Sequence, residues 1–216
     1  SFMKITAIQT FVCNAYRTNW VFVKVLTDSP GLYGVGEATL EYREMTVVQA
    51  CRDLEGDLKG KDPRNIEALW HDCYRDAYWR GGPVLMSAIS AIDMALWDIL
   101  GKDLGAPVYQ LLGGVVRDRV PCYANGWFAG SKTPEEFALR ADEAVRDGFH
   151  ALKWDPFGAA YRSLTARQFR ESLQCVERVY EAVQGRADII IEGHGRFDLP
   201  TALRLAHALE DFGILW

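Results

Sequence analysis

From about Val120 onwards, the sequence alternates short apolar segments with helix-forming segments, and this alternation limits the possible folds most strongly. The strand-like segments are 120–124, 151–154 and 189–191. One helix is predicted to start at Thr133, which a proline and two acidic residues follow, and another at Thr165, which forms a capping box with Gln168. Strands that alternate with helices form parallel sheets with crossover helices. An open doubly wound sheet and a (β/α)8 barrel both begin in this way, so the periodicity leaves the choice between them open.

The first part of the sequence has a different pattern. Its strand-like segments, in hairpin spacing, are 3–12, 20–27 and 32–38, and helical patterns follow over 63–79 and 85–104. Consecutive strands with hairpin spacing predict a small antiparallel sheet. We therefore predict an α+β domain over residues 3–119 and a β/α domain over residues 120–216.

The last helical pattern, over about 200–211, is followed by the apolar segment 214–216, which has the composition of another strand. A complete (β/α)8 barrel needs roughly 200 residues or more. The β/α part of this sequence is less than half of that length. We therefore expect the chain to be part of a longer protein.

Composition bears mainly on partners and compartment. The net charge is −5, with acidic and basic residues interspersed, which gives no electrostatic reason to expect nucleic acid or an anionic membrane as a partner. The uninterrupted apolar runs are too short to span a bilayer. The five cysteines are scattered without a C-x-x-C pair, which predicts neither a disulfide framework nor a zinc site and favours a reducing, cytoplasmic setting.

Ionisable residues stand at the ends of two of the strand-like segments. Lys153 and Asp155 are two residues apart and should point to the same side, as should Glu192 and His194. In parallel α/β folds, ligands bind at the carboxyl ends of the strands. A lysine, two carboxylates and a histidine together can hold a hard cation, stabilise an oxyanion and transfer protons.

Structural roles are the alternative for each of these residues. Lys153 could pair with Asp155 at the surface, and Asp155 before a proline could simply start a turn. His194 stands between two glycines and could cap the next helix. Glu192 is harder to explain in this way, because a carboxylate directly after three isoleucines needs a partner or a metal ion.

Four motifs carry a resemblance to a known family. They are Gly36-Glu37-Ala38, the segments 78–83 and 87–98, and Leu111-Leu112-Gly113-Gly114. With these motifs the sequence resembles the mandelate racemase subgroup of the enolase superfamily, and within it the galactonate and gluconate dehydratases. The resemblance extends from Met3 through essentially the whole chain. It implies an α/β protein with an N-terminal α+β capping domain, followed by the first half of a modified (β/α)8 barrel.

The resemblance also implies a chemistry. In this family, carboxylates on three successive strands bind Mg²⁺, and a base removes the proton next to the substrate carboxylate. Glu192 matches the first ligand position, which is usually an aspartate. His194 matches the acid for the departing 3-hydroxyl, and Lys153 matches the first lysine of a K-x-K motif. Asp155 replaces the second lysine, the base of the racemases, which argues against a two-base racemase.

These correspondences give our expected site. We expect Lys153, Asp155 and His194 to be catalytic and Glu192 to be a ligand of Mg²⁺. The resemblance places the remaining ligands and the base beyond residue 216. Trp20 and Tyr42, which match substrate loops of the capping domain, and Arg196 are expected to bind substrate.

The predicted reaction is elimination of water from an aldonate, such as gluconate or galactonate, to a 2-keto-3-deoxy acid. The expected partners are a small acid-sugar substrate and other copies of the chain in a homo-oligomer. One alternative is racemisation, epimerisation or cycloisomerisation by another member of the superfamily. A second alternative is a non-catalytic or truncated paralogue.

Overall fold

The computed structural model describes residues 3–75 and 78–216, and the chain has the mixed α/β fold that was predicted. It forms two compact units, divided between Asp118 and Arg119. Each unit has its own apolar core.

The sheet of the first unit is antiparallel, which confirms the predicted small sheet. Its strands, in spatial order, are β1 (Ile5–Ala15), β2 (Thr18–Thr27) and β3 (Tyr33–Glu37). Side chains alternate between the two faces of a strand, so Val21, Val23 and Val25 all point to one face. All three are fully buried, and this face of β2 forms the centre of the core.

The described residues of the first unit also form four helices: α1 (Glu44–Leu58), α2 (Ile66–Arg75), α3 (Pro83–Leu104) and α4 (Val108–Leu111). Helix α1 was not predicted, although its buried residues follow helical spacing: Val47, Val48, Cys51, Leu54 and Leu58.

The predicted helix over 63–79 is shorter in the structure. The carboxylate of Asp62 accepts the N–H of Arg64, and the carbonyl of Asp62 accepts the N–H of Asn65, so this segment is a turn and α2 starts at Ile66. Residues 76–77 of the predicted helix lie outside the described residues. Residues 78–79 form a bend.

Helix α3 is apolar along most of its length. By length and composition alone, it is the one helix among the described residues that could span a membrane, although charged residues interrupt its apolar runs. Its face with Ala88, Ala91 and Ala95 is fully buried in the core of the first unit. This burial accounts for its apolar composition, because the core helix of a globular unit passes the same test.

The second unit alternates helices and parallel strands. Its elements are α5 (Pro134–Arg146), β4 (Ala151–Trp154), α6 (Ala166–Val183), β5 (Asp188–Ile191), α7 (Leu199–Leu209) and a 3-10 turn at Glu210–Phe212. Strands β4 and β5 pair in parallel, with α6 as the crossover. Both predicted helix starts are confirmed, because Thr133 with Glu136 and Thr165 with Gln168 form complete capping boxes.

Segments 120–124 and 214–216 are not continuous strands in the structure, so both predictions were wrong in form. Ala124 alone bridges to Leu152 of β4 in parallel. On the other side, the N–H of Leu215 donates to the carbonyl of Ile189 at 2.8 Å, and the carbonyl of Trp216 accepts from Ile191 at 3.1 Å. The two segments therefore flank β4 and β5 at the expected positions.

Candidate active site

The carboxyl ends of β4 and β5 bring Lys153 and Glu192 together. Lys153 lies in β4 opposite Ile190, and Glu192 directly follows β5, where its N–H donates to the carbonyl of Trp154 at 2.9 Å. The lysine Nζ lies 3.1 Å from Oε2 of the glutamate, with side chains 14% and 25% exposed. The alternative of a surface pair between Lys153 and Asp155 is not formed, because the ammonium group pairs with Glu192 at the end of the neighbouring strand.

Hydrogen bonds keep this pair ionised. The backbone N–H of His194 donates to Oε1 of Glu192 at 2.9 Å, and this bond, together with that from Lys153, lowers the pKa of Glu192. The same pairing raises the pKa of Lys153. A lowered carboxyl pKa and a raised ammonium pKa both favour the charged forms at neutral pH.

Asp155 has a separate set of partners. Arg196 donates two parallel hydrogen bonds to its carboxylate, from Nη1 to Oδ2 at 2.7 Å and from Nη2 to Oδ1 at 2.8 Å. The N–H of Phe157 donates to Oδ1 at 2.9 Å, so Asp155 also starts a turn. Nδ1 of His194 lies 2.9 Å from Oδ2. The ring of His194 thus faces the carboxylate that the arginine holds.

The loops that carry these residues are joined through their backbones. The N–H of Arg162 donates to the carbonyl of Arg196 at 3.0 Å, and the N–H of Asp198 donates to the carbonyl of Arg162 at 2.9 Å. His194 has a φ of 53°, in the left-handed region, as does the glycine after it with 62°. This turn leaves the His194 side chain 62% exposed while its Nδ1 faces inward.

Arg196 was predicted to bind substrate, but the structure engages it with Asp155. Both of its terminal nitrogens bond to that carboxylate, and its side chain is 17% exposed. Its Nε is buried and has no hydrogen-bond acceptor among the described residues.

Two aromatic residues beside Lys153 were missed by the sequence analysis. The lysine Nζ lies 5.2 Å from the ring centre of Tyr123 and 5.8 Å from that of Trp216, within the range of cation–π interaction. Both belong to the segments that flank β4 and β5, and the predicted strands at 120–124 and 214–216 were the signal that could have placed them there.

The predicted substrate residues Trp20 and Tyr42 lie in the first unit. Trp20 is 49% exposed and packs edge-on against Phe22, and Tyr42 is 61% exposed. The hydroxyl of Tyr42 accepts hydrogen bonds from Arg17 at 3.2 and 3.3 Å. Glu44, which the sequence analysis did not single out, holds the nearby β1–β2 turn by accepting from the Thr18 hydroxyl at 2.5 Å.

The donor chemistry of the cluster fits a magnesium ion in part. Mg²⁺ prefers carboxylate oxygens and commonly takes one or two protein carboxylates, water and substrate oxygens. Glu192 is ionised, partly exposed and lies at the carboxyl end of a parallel strand, so it suits this role. Within 3–75 and 78–216, no three His, Cys, Asp or Glu side chains converge as a complete metal site.

Comparison with protein families gives two matches in chain order. Residues 3–113 match the mandelate racemase / muconate lactonizing enzyme N-terminal domain, and residues 136–216 match the enolase C-terminal domain-like family. These matches, with an antiparallel α+β unit before a parallel β/α unit, define the class as the two-part architecture of the enolase superfamily.

Individual relatives agree. The chain is 42% identical over 193 residues to a D-gluconate dehydratase from Thermoproteus tenax, covering 89% of this chain and 39% of the relative. It is 39% identical over 210 residues to a D-galactonate dehydratase from Pectobacterium atrosepticum, covering 97% and 53%. The chain belongs to the mandelate racemase / muconate lactonizing enzyme family of the enolase superfamily, which confirms the resemblance.

Solved structures match nearly the whole chain. A member of the enolase superfamily from Salmonella Typhimurium has a TM-score of 0.92 and 32% identity, over 99% of this chain and 60% of that one. An enolase from Pantoea ananatis with bound D-gluconate and Mg has a TM-score of 0.84 and 28% identity, over 98% and 58%. The chain thus spans about two fifths to three fifths of the length of these relatives.

Proposed function

We propose that the chain is part of a magnesium-dependent dehydratase that acts on an aldonate such as D-gluconate or D-galactonate. One observation carries the proposal: in a chain of this family, Lys153, Glu192 and His194 form one bonded cluster at the ends of two parallel strands. Two relatives with the names D-gluconate and D-galactonate dehydratase, at 42% and 39% identity, support the substrate class.

Each residue of the cluster has a role that its surroundings suit. The ammonium group of Lys153, kept protonated by Glu192, stabilises the negative charge that develops at the substrate carboxylate. Glu192 would hold Mg²⁺ through a carboxylate oxygen. When bound, the ion would supply electrostatic stabilisation for the same charge.

His194 is the acid for the leaving group. A base, which we place beyond residue 216, takes the proton from C2, and the electron pair of that bond forms a C2–C3 double bond. The C3–O bond breaks, its electron pair stays on the oxygen, and the oxygen takes a proton from the imidazolium and leaves as water. The resulting enol gains a proton at C3 and loses the proton of its C2 hydroxyl, which gives the 2-keto-3-deoxy acid.

The two parts of the chain would divide the work. We propose that residues 3–119 form the capping domain, with Trp20 and Tyr42 at the substrate, and that residues 120–216 form part of the catalytic domain. The exposure of both aromatic side chains supports this role. We further propose a cytoplasmic homo-oligomer.

A screen of acid sugars with the whole protein tests the reaction. We expect a 2-keto product from an aldonate when Mg²⁺ is present, loss of that product on adding a chelator, and loss in His194→Ala. Complete inactivity with Mg²⁺ across the aldonates would count against the proposal, and activity that survives in His194→Ala would remove the assigned acid.

The same assay separates the alternatives. Exchange of the C2 proton for deuterium without loss of water would indicate an epimerase or racemase of the superfamily, and ring closure would indicate a cycloisomerase. Absence of both exchange and turnover would indicate a non-catalytic paralogue.

A further inference from the structure

We propose that Asp155 and Arg196 are positioning residues for His194: the arginine fixes the carboxylate, and the carboxylate fixes the tautomer and direction of the imidazole. This inference deepens the proposed function and rests on it for the catalytic consequence. It replaces the expected roles of Asp155 in catalysis and of Arg196 in substrate binding.

The first step is the fixed position of the carboxylate. A bidentate pair between arginine and a carboxylate sets both distance and plane, because both groups are flat and forked. Asp155 and Arg196 form such a pair at 2.7 and 2.8 Å, with both side chains 17% exposed. The N–H of Phe157 adds a third bond to Oδ1. With these three bonds, the Asp155 carboxylate has little freedom to rotate.

The second step is the tautomer of the imidazole. An ionised carboxylate has no proton to give and can only accept hydrogen bonds. Nδ1 of His194 lies 2.9 Å from Oδ2 of Asp155, so this nitrogen must carry the hydrogen. In the neutral ring, Nε2 is then the unprotonated nitrogen, and in the imidazolium Nε2 holds the proton that can leave.

The third step is the direction of the ring. The backbone N–H of His194 is bonded to Glu192 and its ring is bonded to Asp155, so the residue is held at both ends. The side chain is nevertheless 62% exposed. Nδ1 therefore faces the protein, and the opposite nitrogen, Nε2, is directed away from Asp155. After Nε2 gives its proton to the leaving hydroxyl, the Nδ1–H bond to the carboxylate remains.

Asp155→Asn is the sharpest perturbation, because donor and acceptor counts predict its result. The asparagine amide can take two orientations. When its oxygen occupies the Oδ1 position, that oxygen still accepts hydrogen bonds from Phe157 and Arg196, and the NH₂ group faces one donor of the arginine. In the reverse orientation, the NH₂ group would face two donors, the N–H of Phe157 and Nη2 of Arg196. The first orientation is thus favoured, and its NH₂ donates to Nδ1 of His194, which reverses the tautomer.

The test is nitrogen NMR of the chain with ¹⁵N-labelled histidine at about pH 9, where ordinary imidazoles are neutral. Correlations between ring protons and ring nitrogens identify the protonated nitrogen, and a His194→Gln variant assigns the signal among four histidines. We expect Nδ1–H in the unaltered chain and Nε2–H in Asp155→Asn. Nε2–H in the unaltered chain would overturn the proposal even if the variant does not fold.

Two further variants complete the design. Glu210→Gln is the matched control, since Glu210 faces Nδ1 of His207 at 3.3 Å in an exposed pair, and it should leave His194 unchanged. Arg196→Lys keeps the positive charge beside Asp155 but cannot form the bidentate pair. Since the Asp155 carboxylate remains an acceptor for Nδ1, the His194 tautomer should persist. An unchanged His194 tautomer in a folded Asp155→Asn variant would contradict the positioning role.

Kinetics of the whole protein provide the second readout. We expect kcat of Asp155→Asn to fall by about 100-fold or more, with KM within about threefold, because the acid is lost while substrate contacts remain. A raised KM with unchanged kcat would instead place Asp155 against the substrate and overturn the proposal. The whole protein could lack aldonate turnover while the His194 tautomer still changes in Asp155→Asn. That result would refute the proposed function and leave the positioning of His194 intact.

Discussion

Replacing Gly36 by alanine tests a close approach within the first unit, where β3 lies against α3. A methyl group on Gly36 would lie 2.8 Å from the carbonyl carbon of Ala91 and closer still to its oxygen. Carbon atoms in good contact are about 3.5–4.0 Å apart, so the two backbones would have to separate by about 1 Å. The atoms in the way are backbone atoms of Ala91, which cannot move aside as a flexible side chain can.

The cost follows from this geometry. Overpacking in a core typically costs about 1–3 kcal/mol. Both sides of this contact are regular secondary structure with fully buried neighbours, among them Val23 and Ala88, so we expect Gly36→Ala to lose about 3 kcal/mol of unfolding free energy. Gly56→Ala is the control: this exposed position in α1 has open space for a methyl group, and alanine should stabilise the helix by about 0.5–1 kcal/mol.

Cysteine alkylation in increasing urea measures the unfolding free energy of each unit separately. Cys51 in the first unit and Cys175 in the second are buried, and burial raises the pKa of each thiol to about 11. Both should therefore react when their unit unfolds. In Gly36→Ala, Cys51 should become reactive at lower urea than in the unaltered chain. A change in the unfolding free energy at Cys51 below about 1 kcal/mol would refute the close-packing argument.

Three further predictions use the same chain. Thr133→Ala removes the cap of α5 and should cost the second unit about 1 kcal/mol in the urea assay, with Thr133→Ser close to the unaltered chain. Hydrogen bonds lower the pKa of Glu44 from 4.5 to about 2, so the stability it contributes is present above pH 4.5 and lost as the pH falls through 2. The difference in melting temperature between the chain and Glu44→Gln should narrow over that range, and a constant difference would contradict this assignment. In the folded chain at about pH 8, iodoacetamide should modify the exposed Cys13 and Cys122 well before Cys51, as followed by peptide mass spectrometry.

The sequence predicted most reliably those features that depend on local chemistry. The capping boxes at Thr133 and Thr165 were found because a cap and its partner are three residues apart. Strand 151–154 was found because apolar residues lie between clear helix signals. The placement of Lys153 and Glu192 on one edge followed from strand periodicity and the parallel connection alone.

Features that depend on distant partners were not predictable in the same way. No local signal indicates that Gly34 and Gly36 of the third strand allow α3 to approach closely. Helix α1 was missed although its apolar spacing was available, so that omission was one of interpretation. In contrast, no local signal predicts the pair of Arg196 and Asp155, because the two residues are 41 positions apart and side-chain rotamers decide the contact.

The pairing of the ionisable residues also explains why the cluster needs two carboxylates. In the proposed site, Glu192 bonds Lys153 and would hold the cation, and its position at the end of β5 leaves the ring of His194 to another carboxylate. Asp155, held by Arg196 on the neighbouring strand end, takes that second task. His194 bonds Glu192 through its backbone and Asp155 through its ring, so it joins the two pairs. In the proposed mechanism, Asp155 at the position of the racemase-type lysine removes one base and also provides the carboxylate that directs His194 as the acid.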